Sequence, residues 1–262
     1  MKKISKVIAC ILMVVMVCSN IGTTSVQAAN MTAQQIINKS VKNSSKIKSY
    51  TLKASINATL KSGGEKATIK LNETASYTKS PFRMKMVMDM NVSGEQQKQT
   101  VYYTKKGSKY YGYQKVNGSW VSGQMDASTG KSLAQNNPCT VLKEAKKYMS
   151  SIKLKSKTSK VNGTSCYVIT AKLDMEKMFA SVENETNGQL DASLFKGKKI
   201  PVTYWIDKNT MIPVKYTMEM SNTYNDLLKS LLGQDVKLTK FSTTVTYSKI
   251  NKTKVTLPSG VK

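Results

Sequence analysis

Leu52-Lys53-Ala54-Ser55-Ile56-Asn57-Ala58-Thr59-Leu60 alternates without a break, apolar at every even position and polar at every odd one. Gly63-Gly64 turns the chain, and Ala67, Ile69, Leu71, Ala75 and Tyr77 then alternate with Thr68, Lys70, Asn72, Thr74 and Ser76. Pro81 opens a third run whose Phe82, Met84, Met86, Met88, Met90 and Val92 share a face. Side chains of a strand point to opposite faces with a period of two. Strict alternation over successive runs therefore predicts a sheet with one dry and one wet face, which is the signature of antiparallel pairing.

Working outward, the same pattern continues. Turns at Ser93-Gly94, Lys106-Gly107 and Asn117-Gly118 separate aromatic-rich strands near 98–104, 108–116 and 119–124. Tyr102 to Trp120 reads as an aromatic hairpin. Residues 124–136 read as a loop, and Asn137-Pro138 starts a helix as N-cap and first helical residue. Its apolar face is Val141, Leu142, Ala145, Tyr148 and Met149. Strands follow near 151–158 and 164–173. Residues 174–197 read as one or two short helices with Met175, Met178, Phe179, Val182, Leu190 and Leu194 as the apolar set. Strands 199–207 and 211–220 form a hairpin around Asp207-Lys208-Asn209-Thr210, with Met218 and Met220 on one face. A helix over 222–232 buries Tyr224, Leu227, Leu228 and Leu231 and stops at Gly233, and strand 237–249 ends the sheet. Ahead of the sheet, Thr32 and Gln35 form a capping-box pattern for a helix that faces Ile36, Ile37 and Val41 inward. The expectation is an α+β protein with about eleven strands and four or five helices, with residues 30–262 as one domain.

Residues 1–29 read as a signal peptide. Lys2, Lys3 and Lys6 form a positive n-region, and an uncharged run from Val7 to Cys18 follows. Twelve helical residues span roughly 18 Å, short of a hydrocarbon core of about 30 Å. Small residues at Val26-Gln27-Ala28-Ala29 suit cleavage after Ala28 or Ala29. Neither Cys10 nor Cys18 sits in a convincing lipidation site, so the expected product is soluble and secreted, into the cell envelope. The signal's style points to a Gram-positive cell.

Net charge is +26, of which the signal carries three, leaving +23 on the mature chain. The lysines are scattered among Ser, Thr and Asn rather than gathered in a stripe, so the chain is not read as a nucleic-acid binder. An exported basic protein meets anionic wall polymers and membrane surfaces instead. Two cysteines remain in an oxidising compartment, Cys139 and Cys166. They either form one disulfide, closing a loop of about 28 residues worth about 3.5 kcal/mol, or stay as two buried thiols. The chain has no histidine, which removes Ser-His-Asp, Cys-His and histidine-ligated metal sites together. No phosphate-binding glycine loop and no paired carboxylates appear. A non-enzymatic role without metal or cofactor is expected.

The order of elements resembles the lipoprotein-carrier superfamily, which includes LolA- and LolB-like proteins and acyl-binding lipoproteins of the LppX and LprG type. The residues that carry the resemblance are Lys46-Ile47-Lys48-Ser49-Tyr50 after the first helix, Val161-Asn162-Gly163-Thr164 before a strand, and the hairpin Tyr204-Trp205-Ile206-Asp207-Lys208-Asn209-Thr210-Met211-Ile212-Pro213-Val214. The resemblance implies a single strongly curved antiparallel sheet, an open half-barrel with helices covering its concave face and an acyl-binding cavity between them.

Two features could serve such a cavity. Strands ordinarily favour Val and Ile, so Met84, Met86, Met88 and Met90 in succession are not explained by β-propensity. Flexible thioethers suit a surface that accepts varied apolar ligands, and equally fill a packed core. Met218 and Met220 add to a similar face. Glu73 interrupts the apolar series of its strand, where burial would raise its pKa unless a lysine reaches it. It is either a polar contact at a cavity mouth or a residue beyond the covered part of the sheet. The leading expectation is a binding protein for an apolar or acyl (lipid or lipoprotein) ligand. The alternative is a wall-associated interaction module with a packed core and a basic surface.

Overall fold

The computed structural model describes residues 31–181, 192–232 and 236–261. The expected signal peptide, Val182, Leu190 and Gly233 lie outside the described residues, as do the side chains of Leu227 and Leu231.

Helix α1 (Ala33–Lys42) begins where the capping-box pattern places it. The Thr32 hydroxyl accepts from the Gln35 amide at 3.3 Å, and the Gln35 side chain accepts from the Thr32 N–H at 2.8 Å. Two amides that would otherwise lack partners are thus satisfied. Ile36 and Ile37 are fully buried. A 3-10 turn, Asn43–Lys46, leads into the sheet.

Six strands then run as an antiparallel meander: β1 (Ser49–Ser62), β2 (Glu65–Lys79), β3 (Phe82–Val92), β4 (Glu95–Lys106), β5 (Lys109–Val116) and β6 (Ser119–Met125). Asn117 and Gly118 both take positive φ, the pair of left-handed residues a two-residue hairpin turn requires. Two helices follow, α2 (Ala127–Gln135) and α3 (Pro138–Lys147). The second half comprises β7 (Met149–Leu154), β8 (Ser159–Val161), β9 (Thr164–Asp174), α4 (Met175–Ala180), a 3-10 turn at Ala192–Phe195, β10 (Lys199–Asp207), β11 (Pro213–Glu219), α5 (Ser221–Leu232) and β12 (Lys237–Ser248).

All twelve strands belong to one sheet, in the order β6-β5-β4-β3-β2-β1-β12-β11-β10-β9-β7, with β8 paired to β9. The first meander and the second half, read in reverse, are joined where β12 pairs with β1. The sheet is not closed into a barrel. Strands β6 and β7 are its two edges, so α2 and α3 carry the chain from one edge across the concave face to the other. Along this path α2 packs on β5, and α3 packs on α1 and β11. The architecture is the antiparallel α+β sheet that the alternation predicted, in the open half-barrel form that the resemblance implied, with twelve strands among the described residues where about eleven were expected.

Residues 124–136 correct the expected loop, because they contain α2. Asp126 caps this helix, its carboxylate accepting from the Thr129 amide at 2.8 Å. The sequence Ala-Ser-Thr-Gly-Lys-Ser has almost no apolar periodicity, because this helix docks by close approach rather than by a wide apolar face. Gly130 is buried against Tyr110, where an added Cβ would stand 2.3 Å from the ring.

The convex face is also partly covered. After β12, the Thr253 N–H donates to the Ser49 hydroxyl at 3.1 Å, and the Thr253 and Thr51 hydroxyls meet at 2.9 Å. The tail then reaches β4–β6, where Val261 is buried with Tyr102 and Tyr113 and flanked by Trp120 and Leu257. The aromatic hairpin is therefore divided between faces. Tyr110 serves the concave side, and Tyr102, Tyr113 and Trp120 form an outer cluster beneath the tail.

Candidate functional site: a seam between two cores

Two separate apolar clusters fill the concave side. The larger gathers α1, α4, α5 and strands β9–β12 around Phe179, Phe195, Tyr224 and Phe241. The smaller is aromatic: Tyr50 stacks on Tyr77 with ring centres 4.8 Å apart, Phe82 meets Tyr110 edge-on, and Tyr247 closes the set. The Tyr50 hydroxyl donates to the Asn136 carbonyl at 3.0 Å, and the Tyr77 hydroxyl donates to the Ala134 carbonyl. These bonds tie the end of α2 to this cluster. Burial pushes the Tyr77 phenol up to about 12, with nearby Tyr110 adding to the shift.

A cleft lies along the seam. Ile56, Leu71, Met220 and Phe241 of the larger cluster form one wall, and Ala54 and Val245 of the aromatic cluster form the other. Tyr216 packs against both clusters. The cleft is narrow and partly open to solvent, with a cavity of about 30 Å³, room for about two water molecules as it stands. Sequence explains the gap. Register places Glu73 of β2 and Val245 of β12 on either side of Ala54 of β1. A single methyl at that central position cannot bridge the two cores.

Two polar side chains besides Tyr216 reach this cleft, Glu73 and Thr243. Glu73 sits opposite Met88 as well as Ala54, at mid-strand. It therefore does not lie beyond the covered part of the sheet. Among the described residues its carboxyl has no hydrogen-bond or ion-pair partner, although the chain holds 41 lysines and arginines. Desolvation raises its pKa. Its charge in turn helps raise the phenols of Tyr103 and Tyr50, after burial in the first case and after burial and Tyr77 in the second. Thr243 is buried, and among the described residues its hydroxyl also lacks a partner.

The expected site residues are only partly brought together. Met218, Met220 and Glu73 line the cleft, Met220 as a fully buried wall. Met84 is packed in the aromatic cluster. Met86 is half-buried against that cluster, whereas Met88 and Met90 are half-buried against the larger one. The methionine row thus spans the seam without lining the cleft. Thr243, Ala54 and Tyr216 were not singled out by sequence reasoning. A threonine in the apolar series Phe241, Thr243, Val245, Tyr247 was the available signal.

The expected disulfide is corrected: Cys139 and Cys166 are separate, buried, free thiols. Cys139 lies on α3 within the aromatic cluster of the concave side. Cys166 is level with Asp207 on β10, in register with the outward-pointing positions of the sheet, and its thiol donates to the Thr164 carbonyl at 3.3 Å. The sheet stands between them. Burial pushes the Cys139 thiol up to about 12 despite a hydrogen bond with Ser40. Among the described residues no cluster of ligating side chains could hold a metal ion, and no helix is long and apolar enough to cross a membrane.

Comparison with known proteins adds a family. Residues 32–262 match DUF6612, described as a family of unknown function. The chain belongs to that family. No curated protein matches this family member significantly. Solved structures similar to it include LprF from Mycobacterium bovis, at 16% identity and a TM-score of 0.49, covering 88% of this chain and 97% of that one. Lipoprotein LppX from Mycobacterium tuberculosis is similar at 15% identity and a TM-score of 0.44, covering 86% and 98%. A LolA superfamily protein from Nitrosomonas europaea is similar at 11% identity and a TM-score of 0.26, covering 87% and 96%.

Proposed function

We propose that this DUF6612 protein is a secreted, non-enzymatic carrier or binder that holds one apolar or acyl chain in the cleft along its concave seam. The observation that carries this reading is the seam itself. Two well-filled cores stop short of one another, and the gap is walled by Ile56, Leu71, Met220 and Phe241. Burying an alkyl chain there gains about 0.8 kcal/mol per methylene. The cleft is narrow as it stands, so an incoming chain must displace side chains. Half-buried Met218 on the lining, and Met88 and Met90 beside it, are unbranched and move at low cost.

Native mass spectrometry of gently extracted protein, with titration of an apolar fluorescent dye, tests the reading. Co-purifying lipid, or saturable dye binding reversed by a long-chain amphiphile, is the expected result. Protein that is bare and binds no dye overturns it.

The convex face supports a second contact. Register places Lys53, Lys70, Lys85, Lys98 and Lys215 on it among threonines and asparagines. An anionic wall polymer or membrane surface would meet this face, leaving the cleft free. Retention on an anionic polymer that weakens steeply with salt is the expected behaviour.

A further inference from the structure

Glu73 and Thr243 give the cleft two separate polar groups that the fold does not use. They sit on β2 and β12, on either side of β1, and Ala54 and Ile56 between them are too short or too apolar to engage either. Among the described residues neither has a hydrogen-bonding or ionic partner. Stability alone would favour Val or Leu at both places, since each polar group gives up part of its hydration in an apolar cleft without gaining a protein partner.

Resting on the apolar-ligand reading above, we infer that the ligand is an alkyl-chain amphiphile whose polar group donates hydrogen bonds, a hydroxyl or an ammonium. Glu73 accepts from it, and Thr243, two strands away and two positions along, offers a contact to a second polar atom of the same ligand. An anionic headgroup is selected against at this point. Two carboxylates sharing one desolvated site cannot both ionise, so a fatty acid enters only if it or Glu73 takes up a proton. The phenols of Tyr50 on β1 and Tyr103 on β4 face the same carboxyl and supply no positive charge. Surface lysines attract anions elsewhere, so selection must be measured at high salt, where that attraction is screened.

The test is displacement of a bound apolar dye by dodecanol, dodecylamine and dodecanoate, each below its solubility or micellar limit, on wild type, Glu73→Gln and Glu73→Leu. The alcohol and the amine are expected to outcompete the acid by about tenfold, the factor that 1.4 kcal/mol of differential contact gives. Glu73→Gln is expected to narrow that ratio, and Glu73→Leu to erase it while dye binding persists. Equal displacement by all three probes on wild type, or an unchanged ratio in both variants, overturns the inference and leaves the apolar-ligand reading standing. Failure of every probe to displace dye overturns both.

Discussion

Ala54→Leu asks whether the seam is an empty cleft or a closed core. Ala54 stands between Glu73 and Val245, and its methyl lines the gap between the two clusters. The substitution adds three carbons. If they enter unoccupied space, their burial is worth roughly 0.8 kcal/mol each, about 2.4 kcal/mol together. Fixing the new leucine rotamer costs about 0.5–1 kcal/mol. The net expectation is a stabilisation of about 1.5 kcal/mol, or a rise in Tm of about 3–6 °C for a chain of this size. The same leucine occupies the space proposed for a ligand, so dye binding is expected to fall at least tenfold, the change that 1.4 kcal/mol gives. Urea and thermal melts with a dye titration on the same preparations measure both quantities. If the seam is closed instead, overpacking is expected to destabilise by about 1–3 kcal/mol. A destabilised variant that binds dye like wild type refutes the reasoning.

The methionine row divides by packing. Met84→Ala, within the aromatic cluster, is expected to cost about 2–5 kcal/mol in a urea melt, whereas half-buried Met88→Ala costs less than half as much; equal losses would contradict the division. Gly130→Ala should destabilise although alanine ordinarily favours a helix by about 1 kcal/mol, because its Cβ would lie 2.3 Å from the Tyr110 ring; a stabilised variant would show that α2 docks differently. Glu73 has a pKa raised in the folded state by desolvation, so its carboxyl disfavours folding once ionised. Stability relative to Glu73→Gln is therefore fully present below the ordinary value of 4.5 and is lost as pH rises through the folded pKa. Melts of the two proteins from acid to mildly alkaline pH should diverge in that direction. Thiol titration should find Cys139 and Cys166 unreactive in the folded protein and both reactive after denaturation; a missing pair would restore the disulfide.

Most of the sheet was legible because its signal is local. Alternation in 52–60, 67–77 and 82–92 needs only the pleat of the backbone, and the Thr32–Gln35 box needs only four residues. Helix α2 was not legible. Its docking depends on the absence of a side chain at Gly130 facing a ring twenty residues earlier, a relation that periodicity does not register. The cysteines failed for a related reason. Parity in the strand 164–173 sets Cys166 on the face opposite Ile169, Ala171 and Leu173, but nothing local placed α3 on the inner face.

The site divides along the same line. Sequence by itself determined that Glu73 breaks an apolar series, that methionines share a face on β3, and that no histidine chemistry is present. Those statements follow from residue identity and a period of two. Only the tertiary structure decided which of these residues meet. Pairing of β12 with β1 puts residues some 190 positions apart side by side. That pairing sets Val245 level with Glu73 across Ala54, brings Thr243 to the same cleft two positions along, and draws Met218 and Met220 to it while Met84 is packed elsewhere. A cleft is a deficit of packing between distant segments. It depends on the volumes of side chains brought together by the sheet, and no single strand carries that information.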